Sequence, residues 1–227
     1  MLDARTLTRE LGGRWQGGYG IACCPAHDDC NPSMTVADGK NGQVLVHCKA
    51  GCDFRNVVSA LRKRGLWDRQ SRPHPPSPSE IARRHAQDEA DAVKRERQAQ
   101  AVWSESLPIH GTLAEAYLRT RGITCALPES LRFHPACWHA SAKRLPALVA
   151  RVDGLERVAV HRTYLRADGS SKAEVNPNKA MLGGTVGGAV RVHDAAGPLV
   201  VAEGIETAMS LASGLLSTPA TVWATLS

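Results

Sequence analysis

The sequence predicts a mixed α+β protein. It has a small cysteine-rich domain of β-hairpins and a helix, a helical connector, and a β-rich region that closes on a strand–helix–strand unit. Three observations carry this. Five of the seven cysteines fall between Cys23 and Cys52. A stretch with four prolines and three serines, SRPHPPSPS at 71–79, separates that cluster from the rest of the chain and reads as an extended linker. From Pro146 onward the chain consists of short β-like runs broken by DG, ADGSS and GG turns.

In residues 1–70, Asp3 is placed to cap a helix that runs to about Leu11 and stops at Gly12-Gly13. Thr35-Val36 and Val44-Leu45-Val46 read as strands joined by the turn-prone ADGKNGQ. A second helix begins at Asp53, with Phe54, Val57, Val58 and Leu61 on one face and Gly65 as its stop. Residues 80–125 form the connector. Residues 80–104 are helix-forming, with five cations facing five acids, the pattern of a solvated helix laced with ion pairs. A further helix from Leu113 to Arg121 stops at Gly122. A β-rich, basic subdomain occupies 126–197, with strands in PALVARV, RVAVHRTYL and GAVRV. The last segment, 198–227, holds the strand PLVVAEG, the helix GIETAMSLASGLL and the strand ATVWATL, the opening of a parallel α/β layer.

Composition excludes several classes. The 43% apolar and 22% charged fractions are those of a globular chain. No run approaches the roughly 18 apolar residues that cross a bilayer. The start, MLDARTLTRELGG, lacks the apolar core of a signal peptide. The expectation is a cytoplasmic protein with no membrane partner. An odd cysteine count without an export signal argues against a disulfide framework and for metal.

Cys24-Pro-Ala-His27, then twenty residues, then Cys48-Lys-Ala-Gly-Cys52 spell C-x2-H-x20-C-x3-C. Zinc takes four tetrahedral ligands of this kind, and two close pairs brought together by a hairpin make a closed, structural site. Gly51 lets the chain turn beside the metal, directly before the second helix. Cys23, Cys30 and His47 are the alternatives to His27. Cys125 and Cys137 lie far off and read as ordinary thiols.

CPAHDDCNPSMTV followed by VLVHCKAGC, with Asn31-Pro32-Ser33 in place, resembles the CHC2-type zinc-binding domain of phage, plasmid and bacterial DNA primases. The resemblance implies Cys24, His27, Cys48 and Cys52 as the zinc ligands and a role in recognising single-stranded DNA template.

A second motif is PLVVAEGIETAMSLA. Leu199 to Ala202 is a continuous apolar run, the pattern of a strand buried on both faces. Glu203 stands at its carboxyl end, where ligand-handling groups of open α/β sheets collect; a capping Glu would look the same. Glu206 reads as first-turn helix charge. Seven cations against four acids between Arg144 and Leu182 suit a phosphate-bearing partner. The run is similar to the first motif of the Toprim catalytic fold. Upstream, SKAEVNPNKAMLGG resembles the basic stretch before Toprim in primases, matching at Lys172, Asn176-Pro177, Lys179 and Leu182-Gly183. AYLRTRGI, LRFHP and PALVA extend the likeness.

The resemblance implies a primase-type nucleotidyltransferase that makes short RNA primers from nucleoside triphosphates with Mg²⁺ or Mn²⁺, with a replicative helicase as a candidate partner. Glu203 would be the base or a metal-associated carboxylate, with Arg162, Lys172 and Lys179 binding triphosphate or template. Toprim chemistry also needs a later Asp-x-Asp. The chain ends 24 residues past Glu203, and residues 204–227 contain no Asp. The expectation is therefore a fragment with only the N-terminal part of Toprim. The alternative is a non-catalytic, zinc-dependent DNA-binding accessory protein of replication. A nuclease or strand-passage enzyme is disfavoured by the primase-type zinc motif. Trp15, Trp67, Trp103, Trp138 and Trp223 are scattered and read mostly as core, not as a stacking platform.

Overall fold

The structure, a computed structural model, describes residues 3–16, 18–39, 42–67 and 77–226. It is α+β with three sheets and divides into two compact units, Met1–Ala90 and Asp91–Ser227.

In the first unit, helix α1 (Ala4–Glu10) starts where the sequence predicts. The Asp3 carboxylate accepts the Thr6 N–H at 2.6 Å, satisfying one of the free donors of the first turn. Strands β1 (Arg14–Gln16), β2 (Tyr19–Ala22), β3 (Met34–Asp38) and β4 (Val44–Cys48) form an antiparallel sheet in that order. The predicted hairpin is β3–β4. RWQ and YGIA, the sequences of β1 and β2, are too short and glycine-interrupted to show alternation, which is why the sequence did not announce them. Helix α2 (Phe54–Lys63) is capped by Asp53 and buries Val57, Val58 and Leu61. Phe54 departs from the predicted apolar face. It is 55% exposed and sits edge-on to Trp67, with ring centroids 6.4 Å apart, outside the core. Leu7, Ala22, Met34, Val36, Val44, Val57 and Leu61 pack into one core with Cys24 and Cys48.

Helix α3 (Pro78–Glu105) spans the division between the units at Ala90–Asp91. Of the predicted linker, residues 71–76 lie outside the described residues; Pro78 and Ser79 open the helix, where a missing N–H costs nothing. The N-terminal part is fixed to the first unit by Arg84, which pairs with Asp38 at 2.7 Å and Asp3 at 3.2 Å. In the second unit the C-terminal part buries Ala99 and packs Val102 and Trp103 against a sheet.

That sheet consists of β5 (Leu107–Pro108), β6 (Leu131–Trp138), β7 (Arg144–Val152), β8 (Ala159–Tyr164) and β9 (Lys179–Leu182), antiparallel in that order. Helix α4 (Leu113–Thr120) lies between β5 and β6 in the chain. Pro135 masks β6 in the sequence, and the strand accommodates it at a bulge between His134 and Cys137. One face of the sheet packs Leu131, Leu148, Ala159 and Leu165 with α4; the other packs Cys137, Val149, Val160 and Tyr164 with α3.

The second sheet of this unit has β10 (Val190–His193), β11 (Leu199–Ala202) and β12 (Thr221–Ala224) in the order β10-β12-β11. Helix α5 (Ile205–Ser210), prolonged by a π-type turn at Leu211–Leu215, carries the crossover that makes β11 and β12 parallel. The expected two-sided burial of β11 does not occur. Val200 and Ala202 pack on the core, but Leu199 and Val201 are more than half exposed, because β11 is an edge strand with one covered face.

Trp15, Trp67 and Trp103 pack against the cores as expected, though none of the five tryptophans is fully buried and Trp138 is exposed. Arginines lie over three of the rings, Arg132 over Trp103 at 4.2 Å, Arg191 over Trp223 at 5.3 Å and Arg5 over Trp15 at 5.8 Å.

Candidate functional site

The first candidate site is built where β2, β4 and α2 meet. Cys24 lies just past β2, Cys48 ends β4, and Cys52 stands just before the Asp53 cap of α2. Gly51, with φ +92°, makes the reversal between the last two in a conformation that disfavours any side chain. One donor atom from each of Cys24, His27, Cys48 and Cys52 lies within 4.8 Å of all the others, so this set could hold a metal ion. His27 Nδ1 is 3.2 Å from Cys52 Sγ. Cys23, Cys30 and His47 are not part of the cluster. His47 falls on the face of β4 opposite Cys48, as strand alternation requires.

Behind the four donors stands a group that sequence spacing did not single out. The Asp29 carboxylate accepts the Cys24 N–H at 2.6 Å and the Ser33 hydroxyl at 2.6 Å, and lies 3.7 Å from His27 Nε2. The Ser33 hydroxyl is 3.7 Å from Cys48 Sγ. A carboxylate behind a ligating imidazole is the usual way such a ring is oriented. Burial pushes the Cys24 thiol up to about 12, and Cys48 beside it adds to the rise. Burial acts the same way on Cys48, but the N–H of Cys52, the Ser33 hydroxyl and the N–H of Ala50 outweigh it and hold that thiol down to about 6.

The second candidate site lies in the second unit, where β11 gives way to α5. Glu203 is exposed at the carboxyl end of β11 and borders a cleft of about 410 Å³ with His161, Lys179, Met181, Gly204 and Thr207. Its carboxylate has no hydrogen bond or ion pair among the described residues. The two motif lysines converge instead on Glu206. Lys179 Nζ donates to Glu206 Oε2 at 2.8 Å, and Lys172 Nζ lies 3.1 Å from Oε1. The Tyr117 hydroxyl of α4 donates to Oε1 at 2.9 Å. Glu206 does sit in the first turn of α5, as expected, but it is buried there. Burial would raise its carboxyl pKa; the hydrogen bond and charge of Lys179, with Lys172, hold it down to about 2.

The loop between the lysines is tied down. His139 Nδ1 accepts the Ser141 N–H at 3.0 Å, so Nε2 carries the proton and donates to the Pro177 carbonyl at 2.9 Å. At the far end of β9, Gly183 has φ +96°, and a Cβ there would come within 2.8 Å of the Val158 carbonyl, so only glycine fits.

Arg162 is not brought to the cleft. The β8–β9 register pairs His161 with Met181 and Thr163 with Lys179, placing those four side chains on one face and Arg162 on the other. Arg162 is buried there, bonded to the Trp138 carbonyl at 3.3 Å and stacked near Tyr164. His161 is buried on the cleft side. Its burial first, then the nearby Lys179 charge, lowers its pKa to about 4.

Fold and site thus define a class: an α+β protein with a Cys₃His cluster that could hold a metal ion in one unit and a lysine–carboxylate cleft in the other. The model of a family described only as a domain of unknown function (DUF7146) matches residues 93–192. That span includes Tyr117, His161, Lys172 and Lys179 but neither Glu203 nor the Cys₃His cluster. No curated protein matches, and no solved structure matches. Among the described residues no helix is long and apolar enough to cross a membrane.

Proposed function

We propose that this chain is a DNA-primase-type protein. Its first unit holds a structural zinc ion through Cys24, His27, Cys48 and Cys52 and engages single-stranded DNA template. The cleft of its second unit receives a nucleoside triphosphate for the synthesis of short RNA primers. The donor set supports zinc: three thiolates and an imidazole suit a soft, tetrahedral ion and leave no open position for catalysis.

One observation carries the nucleotide reading. Lys172 and Lys179, on either side of Asn176-Pro177, converge one helical turn past Glu203. Two ammonium groups share one carboxylate, so the cluster keeps a net positive charge and unused N–H donors for phosphate. Glu203, free of partners among the described residues, is a hard oxygen ligand for Mg²⁺ or Mn²⁺. Phosphoryl transfer by two metals needs further carboxylates beside Glu203. The chain is expected to bind ATP at this cleft.

Equilibrium titration of the purified chain with ATP tests this. The Lys172→Ala, Lys179→Ala double variant should bind at least tenfold more weakly, and wild-type binding should weaken as salt rises. ATP binding that ignores both lysines, or none at all, overturns the reading. Salt-dependent binding of single-stranded DNA without nucleotide binding would put the accessory DNA-binding protein in its place.

A further inference from the structure

Buried polar atoms find hydrogen-bond partners almost without exception. The second unit breaks this rule twice on one face of β8. His161 Nδ1 and Thr163 Oγ1 are both buried without a partner among the described residues, in residues only 5% and 0% exposed. His161 lines the cleft that Lys179, Met181 and Glu203 also border. An apolar side chain at 161 would avoid the cost of an unpaired nitrogen. Nδ1 is thus left for a group other than a described side chain or backbone to satisfy.

The chemistry of the cleft indicates which ligand group that is. Lys179 supplies positive charge, with Lys172 behind it at Glu206. Glu203 supplies a carboxylate with no partner among the described residues, and His161 a neutral ring. A phosphate fits at the lysine and is repelled by Glu203. A hydroxyl, which both donates and accepts, fits a carboxylate and a neutral imidazole. A ligand with both groups is a phosphorylated sugar, as in a nucleotide.

We infer that His161 is a specificity-determining residue of this cleft, its imidazole hydrogen-bonded to a sugar hydroxyl of the bound nucleotide. This rests on the nucleotide reading above. The competing occupant is an internal water bridging His161 Nδ1 and Thr163 Oγ1.

The test is binding of ATP, 2′-deoxy-ATP and 3′-deoxy-ATP to the full chain and to its His161→Asn and His161→Leu variants. The wild type should prefer ATP over at least one deoxy analogue by about tenfold, the worth of one good hydrogen bond. His161→Leu should lose that preference while melting no lower than the wild type, and His161→Asn should keep part of it. The imidazole ¹⁵N resonances of His161 should shift when ATP is added. Equal affinity of the wild type for all three nucleotides, or unchanged preference in His161→Leu, overturns the inference and leaves the nucleotide reading standing, with water as the partner. A wild type that binds no nucleotide overturns both. If His161→Leu melts lower or does not fold, the wild-type ¹⁵N resonances decide: a shift with ATP supports the inference, and no shift removes it.

Discussion

Two carboxylates do much of the organising at the scale of single residues, and neither could be assigned from residue type alone. Asp29 is five positions from Cys24, four from Ser33 and two from His27. Its neighbours are thus local, but the order in which it meets them depends on a loop conformation that the spacing C-x2-H does not specify. Second-sphere partners of this kind tune affinity by roughly ten- to a hundredfold. Asp29→Ala should weaken metal binding by that factor, measured by competition with a chromophoric chelator; unchanged affinity would show that the ring needs no such support. Glu206 is the opposite case, because its partners Lys179 and Tyr117 lie 27 and 89 residues away. Position and type mark it as helix-end charge, and only the packing of α4, α5 and the loop before β9 makes it a buried hub. Its folded pKa of about 2 lies below the ordinary 4.5. The stabilisation is therefore whole above about pH 4.5 and is lost as the pH falls through 2. It amounts to about 3 kcal/mol. Urea unfolding of wild type and Glu206→Gln should differ by about that much at pH 7, with the gap narrowing to roughly half by pH 3. A gap independent of pH would assign the loss to packing.

Elements were legible in the sequence where local signals are strong. The Asp3 cap, the start of α2 at Asp53, the Val57-Val58-Leu61 stripe and the apolar runs of β7, β8 and β11 each announced themselves. Elements defined by their neighbours did not. β1, β2 and β9 are three or four residues long, and β6 contains a proline that only a bulge makes tolerable. Arg162 shows the same limit on the functional side: strand alternation assigns it to the face opposite His161, but only the register of β9 says which face meets the lysines. The Asp53 cap couples an element to the metal, since the residue before it is Cys52. Asp53→Ala removes the acceptor for the Arg55 N–H and should cost about 1 kcal/mol. It should appear as a lower urea midpoint for the first unit with metal bound, and an unchanged midpoint would mean that the metal alone holds the start of α2.

For the whole molecule, the division of cores decides what metal removal does. Among the described residues the first unit's buried core counts ten, two of them the proposed ligands Cys24 and Cys48. A core of that size stabilises a domain only marginally, whereas zinc binding in small modules contributes about 10–16 kcal/mol. The second unit draws on two clusters, the larger of 21 buried residues, and neither contains any of the four ligands. Its sheets are also joined to each other, through the bridge between Asp153 and Ala189. Chelation should therefore unfold one unit and spare the other. Amide exchange should accelerate across 4–10, 19–22, 34–38, 44–48 and 54–63 after treatment with a strong chelator, while 144–152 and 159–164 stay protected. Restoring zinc should restore protection in the first set. Loss of protection in both units would mean that they fold as one cooperative body, and protection retained in both would mean that the thiol cluster is an ordinary part of the core.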